Sequence, residues 1–488
     1  MMNRRDFLKA AGLTALSTAI SGCDAQGTRS ADITPVAKPN FLFILIDDMG
    51  YKDVGFMGST YYETPNIDRL SAQGMVFTSA YTCGPNCAPT RASLISGQYS
   101  PRHGIYTVGS SNRGIKKLQN IIPPENKTTL DSNVTSIAES LKSAGYISAS
   151  MGKWHLGTDP ELGPVSQGFD INIGGDKRGS PGRGGYFSPY KNPNLTDGPD
   201  GQYLTDRLTE EALKFIGVNK DKPFFLYLPH YAVHTPIQAK KKLTEKYKRK
   251  TPTDGQRNPA YAAMVESVDQ GVGRILAKLD ELNLTENTVV FFTSDNGGVG
   301  GYRELGIKDK EITHNAPLRG GKGMLYEGGI RVPMTVRWPG RVKPGSTCDT
   351  PVISIDFYPT FLEMAGLSKP SGHTLDGESI LGLLKRKNQL KRKAIFWHFP
   401  AYLPAKGGFR TTPAGAVRQG SYKLIEFFED NRIELYNLND DIGEQKNLAH
   451  KMPEKAKELH DLLKNWRNSV NAPVPKEPNP EYNPGKPA

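Results

Sequence analysis

Four short apolar runs, each followed at once by charged or metal-binding side chains, constrain the fold of this chain more than any other feature. The runs alternate with amphipathic stretches of helical spacing, which predict helices at 134–144 and 262–283 among others. This pattern is typical of α/β folds with a mainly parallel sheet. In such open sheets the ligand site lies beyond the carboxyl ends of the strands. The sequence therefore predicts one pocket at the ends of the runs 41–46, 146–151, 224–228 and 288–293.

The side chains that follow these runs are of kinds that bind metals and anions. They are Asp47 and Asp48 after the first run, Lys153 and His155 after the second, His230 and His234 after the third, and Asp295 and Asn296 after the fourth. Any single pair could be an ordinary cap or turn. Four such pairs at equivalent positions favour a shared functional site.

The length of the chain predicts two domains, because 488 residues exceed the usual size of one hydrophobic core. We predict a catalytic α/β domain over residues 39–350, with a large mixed, mainly parallel sheet flanked by helices. After residue 350 a helix, short strands with turns and a final amphipathic helix predict a smaller C-terminal α+β domain over 351–471, carrying a short antiparallel sheet. A proline-rich tail occupies residues 472–488.

The N-terminus has the features of an export signal. Arg4 and Arg5 lie in a twin-arginine pattern, an apolar stretch follows, and a sequence resembling a lipobox ends at Cys23. We expect a twin-arginine lipoprotein signal over 1–23, with Cys23 lipidated, and a tether over 24–38. These features predict the twin-arginine translocase as a partner and a lipid anchor to a membrane, in the periplasm or cell envelope of a bacterium. A plain short hydrophobic anchor is the alternative.

The net charge of +12 suits an anionic partner, which could be a nucleic acid, a lipid surface or a polysaccharide. The sequence has no basic run studded with aromatic residues and no nucleic-acid-binding motif, so we expect no nucleic-acid partner. Besides Cys23, the cysteines are Cys83, Cys87 and Cys348, too few for a disulfide scaffold. Whether Cys83 and Cys348 pair stays open at this level.

The segment 87–97, Cys-Ala-Pro-Thr-Arg-Ala-Ser-Leu-Ile-Ser-Gly, predicts a short helix that begins at Cys87. Pro89 suits the first turn, where its missing N–H is not needed, and Gly97 suits the left-handed residue at the end. Cys87 would then lie at a helix N-terminus, which favours anions. Arg91 follows one turn later and faces the same way.

This segment resembles the signature of the type I sulfatases of the alkaline-phosphatase-like superfamily, Cys-x-Pro-Ser-Arg followed by Leu-x-Thr/Ser-Gly. Thr90 replaces the usual serine, a change between two hydroxyl residues. In that family the cysteine is oxidised after synthesis to formylglycine, the catalytic aldehyde. The resemblance therefore implies that Cys87 is modified and catalytic, and that a formylglycine-generating maturation enzyme is a partner.

The carboxylates Asp47, Asp48 and Asp295 and the amide of Asn296 offer oxygen ligands. Oxygen donors without paired Cys or His ligands indicate Ca²⁺ or Mg²⁺ rather than zinc. The four residues resemble the sulfatase metal site, in which the formylglycine made from Cys87 is a further ligand. Ca²⁺ is the usual ion of that family, and the sequence leaves Mg²⁺ open.

Three further segments match the family in order along the chain: Gly-Lys-Trp-His-Leu-Gly at 152–157, His-Thr-Pro at 234–236 and Gly-Lys-Gly at 321–323. The resemblance implies that Lys153 and Lys322 bind the sulfate and that His155 contacts the formylglycine. It also implies that His234 faces the sulfate and the leaving oxygen, and we predict that His234, with Lys322 nearby, protonates that oxygen. The predicted catalytic residues are Cys87, Arg91, Lys153, His155, His234 and Lys322.

The sequence thus predicts a sulfatase that hydrolyses sulfate monoesters on a sulfated polysaccharide or oligosaccharide. Alternatives are a phosphodiester or phosphonate monoester hydrolase of the same superfamily and a degenerate relative that only binds glycans. Substrate-binding candidates besides Lys153, His234 and Lys322 are His103 and Arg178. Residues expected at the pocket rim are Tyr99, Arg102, His103, Lys177, Arg178, Arg183, His314 and His398.

Overall fold

The computed structural model describes residues 38–387, 389–483 and 485, so the predicted signal and nearly all of the predicted tether lie outside the described residues. The strands are β1 (Asn40–Ile46), β2 (Met75–Phe77), β3 (Ala80–Tyr81), β4 (Ile147–Met151), β5 (Ile171–Ile173), β6 (Phe224–Pro229), β7 (Thr288–Ser294), β8 (Met334–Arg337), β9 (Ser346–Cys348), β10 (Val352–Ile353), β11 (Ala394–Phe399), β12 (Leu403–Ala405), β13 (Gly408–Thr411), β14 (Ala414–Gln419), β15 (Tyr422–Phe427) and β16 (Ile433–Asn437).

The helices are α1 (Pro65–Ala72), α2 (Cys87–Ser96), α3 (Ser100–His103), α4 (Ile137–Ser143), α5 (Leu204–Val218), α6 (Lys241–Lys248), α7 (Pro259–Glu281), α8 (Glu327–Ile330), α9 (Phe357–Met364), α10 (Leu381–Leu384) and α11 (Pro453–Ser469). Within the described ranges, no helix has both the length and the apolar character required to span a membrane.

An eight-stranded sheet forms the centre of the protein, in the order β5-β4-β6-β1-β7-β8-β2-β9. Strands β5, β4, β6, β1 and β7 run parallel to one another, whereas β8 is antiparallel to both of its neighbours. The mixed, mainly parallel sheet predicted from the sequence is confirmed.

Strand β1 lies in the middle of this sheet, and its side chains alternate between two hydrophobic cores. Leu42, Ile44 and Ile46 pack with the apolar faces of α1, α5 and α7. The residues between them, Phe41, Phe43 and Leu45, pack with α2, α4 and α9 on the opposite face. Because helices cover both faces, every residue of the strand must be apolar apart from its first.

Two helix boundaries differ from the predicted ones because of their capping residues. The helix expected at 134–144 begins only at Ile137, because Ser136 and Glu139 form a capping box. The helix expected at 262–283 begins earlier, at Pro259, where the Asn258 side chain accepts a hydrogen bond from a backbone N–H of the first turn.

The C-terminal sheet begins at β11, later than the predicted domain boundary at residue 350. Helix α9 still belongs to the core of the large sheet, since Phe361 stacks on Phe41 with ring centroids 4.6 Å apart. Strand β10 also comes before β11 and pairs with β3 in a separate two-stranded sheet. The two sheets lie in one compact unit, Lys38–Ala488.

The C-terminal sheet is antiparallel, in the order β11-β14-β15-β16, with α11 packed against β14 and β15. Strands β12 and β13 form a separate hairpin, which reaches the large sheet's loops: Tyr402 N donates to Ser111 O at 2.9 Å and Lys406 N to Lys308 O at 3.1 Å. The predicted tail also packs on the body of the protein, because Ile122 N donates to Glu477 O at 2.8 Å.

Candidate active site

Helix α2 presents Cys87 as its first residue and ends at Gly97, whose φ of 67° is left-handed. Cys87 is 1% exposed, and its Sγ lies 3.5 Å from Asp47 Oδ1 and 3.3 Å from Lys322 Nζ. Burial raises the pKa of the Cys87 thiol to about 12. An unmodified Cys87 is therefore a neutral thiol at physiological pH, and a weak nucleophile.

Polar groups from all four strand ends, among them Asp47, Lys153, His234 and Asp295, meet beside Cys87, because β4, β6, β1 and β7 are consecutive parallel strands. Two of these residues have left-handed backbones, Asp48 with φ of 62° and His155 with φ of 69°. Such conformations are uncommon for residues other than glycine and occur often at functional sites.

Two lysine–carboxylate pairs line the site. Lys153 Nζ lies 2.7 Å from Asp47 Oδ2, with both side chains fully buried. Lys322 Nζ lies 2.6 Å from Asp48 Oδ1 and is partly open to solvent, with 13% of its side chain exposed. Burial raises the pKa of Asp47. Burial acts in the same direction on Asp48, but the charges of Lys322 and Lys153 oppose it, and the pKa of that carboxyl is lowered.

Arg91, for which the sequence predicts a catalytic role, lies beneath the pocket. Its guanidinium is fully buried and donates to Asp295 Oδ2 from Nε at 2.9 Å and from Nη2 at 2.7 Å. A third hydrogen bond joins Nη1 to Lys153 O at 2.6 Å. Arg91 is therefore a positioning residue, which fixes a predicted metal ligand and the backbone of a predicted sulfate-binding lysine.

The residues predicted to bind a cation fit a hard divalent ion. Asp47, Asp48, Cys87 and His234 each offer a ligand atom within 4.8 Å of the others. Asn296 donates from Nδ2 to Asp48 Oδ1 at 2.8 Å, and its buried Oδ1 has no hydrogen-bond partner among the described residues. Asp295 Oδ1 lies 3.2 Å from Asp48 N. Carboxylate oxygens beside an unsatisfied amide oxygen match the ligand chemistry of Ca²⁺ or Mg²⁺.

His234 and His155 face the same space. The Nδ1 atom of His234 contacts Thr235 O at 2.7 Å and therefore carries the hydrogen, which leaves Nε2 directed at Asp48 Oδ2, 3.7 Å away. Burial lowers the pKa of His234 to about 3, and burial also lowers the pKa of His155. Both imidazoles are neutral and can accept a proton or a hydrogen bond.

A cavity of about 330 Å³ opens above these groups. Its lining comes from α2, the strand-end loops and the β12–β13 hairpin, and comprises Asn86, Cys87, Val108, Arg113, His155, Gly179, Ser180, His234, Lys322, Leu403 and Arg410. The volume is near the lower end of the roughly 300–1,000 Å³ usual for small-molecule sites.

The family model for sulfatases matches residues 39–367. The chain belongs to the sulfatase family. A second model, described as the C-terminal part of N-sulphoglucosamine sulphohydrolase, matches residues 321–469 of this sulfatase. The predictions of the family and of a sulfatase enzyme are confirmed.

Named relatives agree with this assignment. A sulfatase from Formosa agariphila is 36% identical over 513 aligned positions, which cover 90% of each protein. N-acetylgalactosamine-6-sulfatase from Canis lupus familiaris is 35% identical over 74% of this chain and 68% of that enzyme. Among solved structures, Ps i-CgsB in complex with k-i-k-neocarrahexaose is 31% identical, with a TM-score of 0.72 over 88% of this chain and 92% of that one.

Three residues expected at the rim of the sulfatase pocket are buried elsewhere, so the prediction that they contact sugar is wrong. His103 contacts Ser93 Oγ at 3.1 Å beneath α2. Tyr99 packs edge-on against Trp466, and His398 Nε2 contacts Pro473 O at 2.9 Å. All three are at most 6% exposed.

The other predicted rim residues lie outside the cavity lining given above. Arg178 pairs with Asp176, next to the lining residue Gly179, while Arg102 pairs with Asp376 and His314 with Glu304. Lys177 and Arg183 are exposed. The cavity is instead lined by residues that the sequence analysis did not select, above all Arg113, Leu403 and Arg410. Each lies in a loop or hairpin without a recognisable motif. Cys83 and Cys348 are both free.

Proposed function

We propose that this sulfatase hydrolyses sulfate monoesters of a polysaccharide or oligosaccharide, through a formylglycine made from Cys87. The position of Cys87 carries the proposal. It lies at a helix N-terminus on the cavity floor, between a carboxylate and a lysine, and burial keeps its thiol protonated. A formylglycine at this position, with a divalent cation held by the neighbouring carboxylates, would supply an activated hydroxyl as the nucleophile for the sulfate ester.

The chain's own cations bind and stabilise the sulfate group. Lys322 Nζ is 3.3 Å from Cys87 Sγ and remains reachable from the cavity. Lys153 pairs with Asp47, and both of these side chains are fully buried. Negative charge grows on the bridging oxygen as the S–O bond breaks, so fixed ammonium groups here stabilise the transition state more than the ground state.

The two histidines provide proton transfer. His234 Nε2 faces the cavity beside Lys322 and carries no proton in the free enzyme. A sulfate anion bound next to it would favour the protonated imidazole, which could then pass its Nε2 proton to the departing sugar oxygen. His155 has a buried Nδ1 without a partner in the described part of the chain, and its ring lines the cavity near Cys87. We assign it to proton transfer at residue 87.

Asp47, Asp48, Asp295 and Asn296 are the residues that would hold the cation, and we propose Ca²⁺ as the ion. The oxygen-rich donor set supports a hard cation over zinc, although His234 lies close to the cluster. Magnesium is the alternative ion, and metal analysis of the purified protein distinguishes the two.

A saccharide substrate is supported by the size of the cavity, which suits one sugar ring, and by the net charge of +12. Related proteins carry names or ligands of this class, namely an N-acetylgalactosamine-6-sulfatase and a protein bound to k-i-k-neocarrahexaose. The twin-arginine and lipobox-like sequences further lead us to propose an exported, lipid-anchored enzyme. It would act on polysaccharide fragments in the periplasm or cell envelope.

Mass spectrometry of the peptide that contains residue 87, combined with hydrolysis assays, tests the function. We expect an aldehyde at position 87, release of sulfate from saccharide sulfates, and no activity in Cys87→Ala despite an unchanged fold. A phosphonate monoester and a phosphodiester serve as comparison substrates. Sulfate release by a protein with an intact Cys87 thiol would refute the mechanism, and faster cleavage of the phosphodiester would favour the alternative hydrolase.

A further inference from the structure

Arg113 differs from the other two cations that line the cavity. Lys322 pairs with Asp48, and Arg410 donates to Asp309 Oδ2 from both Nε and Nη2, at 3.0 and 2.6 Å. Arg113 has no carboxylate partner within the part of the chain that the structure describes. Its side chain makes one hydrogen bond there, from Nη2 to Thr107 Oγ1 at 3.2 Å, and its buried Nε has none.

The position of Arg113 is fixed from two sides. Thr107 Oγ1, which accepts from Arg113, also accepts from Asn86 Nδ2 at 3.0 Å, and Asn86 directly precedes Cys87. On the other side, a Cβ on the neighbouring Gly114 would lie 2.8 Å from Phe409 Cε1, so this turn packs tightly on the β12–β13 hairpin. The guanidinium is thus held between the nucleophile's helix and the C-terminal hairpin.

This arrangement favours an anionic ligand. A guanidinium stays charged in proteins, and removing it from water is costly unless an anion or acceptor compensates. Burial lowers the pKa of Arg113, and the nearby charge of Arg410 lowers it further. Because the two lysines and the strand-end groups serve the scissile sulfate, the charge of Arg113 is available to another part of the substrate.

We infer that Arg113 forms a subsite for a second anionic group of the substrate, either a sulfate ester or a carboxylate, on the sugar that carries the scissile sulfate or on its neighbour. The inference rests on the proposed function, because it describes the saccharide that enters this same cavity. It makes the enzyme selective for polyanionic saccharides over singly sulfated ones.

The test compares a singly charged substrate with two doubly charged ones. N-acetylgalactosamine 6-sulfate is paired with its 4,6-disulfate, and with a disaccharide in which a uronic acid precedes the same 6-sulfated sugar. Any of these that is not hydrolysed is measured as an inhibitor of p-nitrophenyl sulfate hydrolysis. The variants are Arg113→Ala, Arg113→Lys and, as a matched control, Arg341→Ala, which removes an exposed arginine that does not line the cavity.

We expect the parent enzyme to prefer at least one dianionic ligand, and Arg113→Ala to reduce that preference about 10- to 100-fold, the range for a hydrogen bond to a charged group. Arg113→Lys should restore part of it, and Arg341→Ala should leave it unchanged. A purely structural role would weaken all ligands equally. If Arg113→Ala keeps the parent's preference for dianionic over singly charged ligands, or if the parent has no such preference, this inference is overturned while the proposed function stands. Failure to hydrolyse any sulfate ester would overturn the proposed function and this inference together.

Discussion

Replacing Arg91 with methionine tests how the site is held together. The side chains of Arg91 and Asp295 are both fully buried, and two hydrogen bonds of 2.9 and 2.7 Å join them. Methionine fills similar space but leaves the Asp295 carboxylate without its cation. Removing one partner of a buried ion pair costs about 3–5 kcal/mol. We expect the free energy of unfolding, measured by urea denaturation with a chelator present, to fall by this amount.

A matched variant separates burial from ion pairing. Arg102 also pairs with an aspartate, Asp376, but its side chain is 30% exposed. Since partly exposed pairs contribute about 0.2–1 kcal/mol, Arg102→Met should cost at most about 1 kcal/mol. In the double variant Arg91→Met/Asp295→Asn, removal of the unpaired charge should recover part of the lost stability. Equal costs for the two methionine variants would refute the argument that Arg91 neutralises a buried carboxylate.

Three further predictions concern the catalytic cavity, the pH dependence and the C-terminal sheet. In Gly179→Ala the new Cβ would lie 2.4 Å from His155 Cε1, so displacement of the ring should lower kcat about 10²-fold, whereas Gly217→Ala in α5, which has open space, should leave kcat unchanged. Burial lowers the pKa of His103 from 6.5 to about 3, so the folded protein loses stability as the pH falls below 6.5. Between pH 7 and pH 5 the free energy of unfolding should therefore fall by about 2 kcal/mol more in the parent than in His103→Gln. Equal decreases in the two proteins would contradict this prediction. Lys423 on β15 is fully buried and lies 2.9 Å from both Glu327 and Glu444, so Lys423→Met should destabilise the protein by about 3–5 kcal/mol in urea, and a cost below about 1 kcal/mol would show that this cluster does not join the two sheets.

The sequence predicts those residues of the site whose positions depend only on the order and direction of the strands. The runs before Asp47, Lys153, His234 and Asp295 could be recognised because strands buried on both faces must be continuously apolar. Their parallel arrangement then brings these side chains to one edge of the sheet. The helix from Cys87 to Gly97 was equally predictable, because its ends depend on local backbone preferences.

The walls of the cavity could not be predicted in the same way. Arg113 and Arg410 reach the cavity only because the β12–β13 hairpin packs against the loop around Ser111, a contact between segments about 290 positions apart. The buried His103 and His398 show the opposite case. Their residue type suggested ligand binding, but the packing of α3 beneath α2 and of the C-terminal residues around β11 removes them from solvent.

In the proposed function, the charges on the cavity floor favour binding of the cation and the sulfate together. Lys153 and Lys322 are each within 2.7 Å of a carboxylate that is also a predicted metal ligand. A cation alone would have to compete with these ammonium groups, and a sulfate alone would meet Asp47 and Asp48 at close range. When both arrive, the carboxylates can turn to the cation and the lysines to the sulfate, so that each buried charge exchanges one opposite partner for another. Folding has already removed the two lysines and the two aspartates from water, so this desolvation adds no cost during the reaction. The preorganised charges can therefore stabilise the transition state.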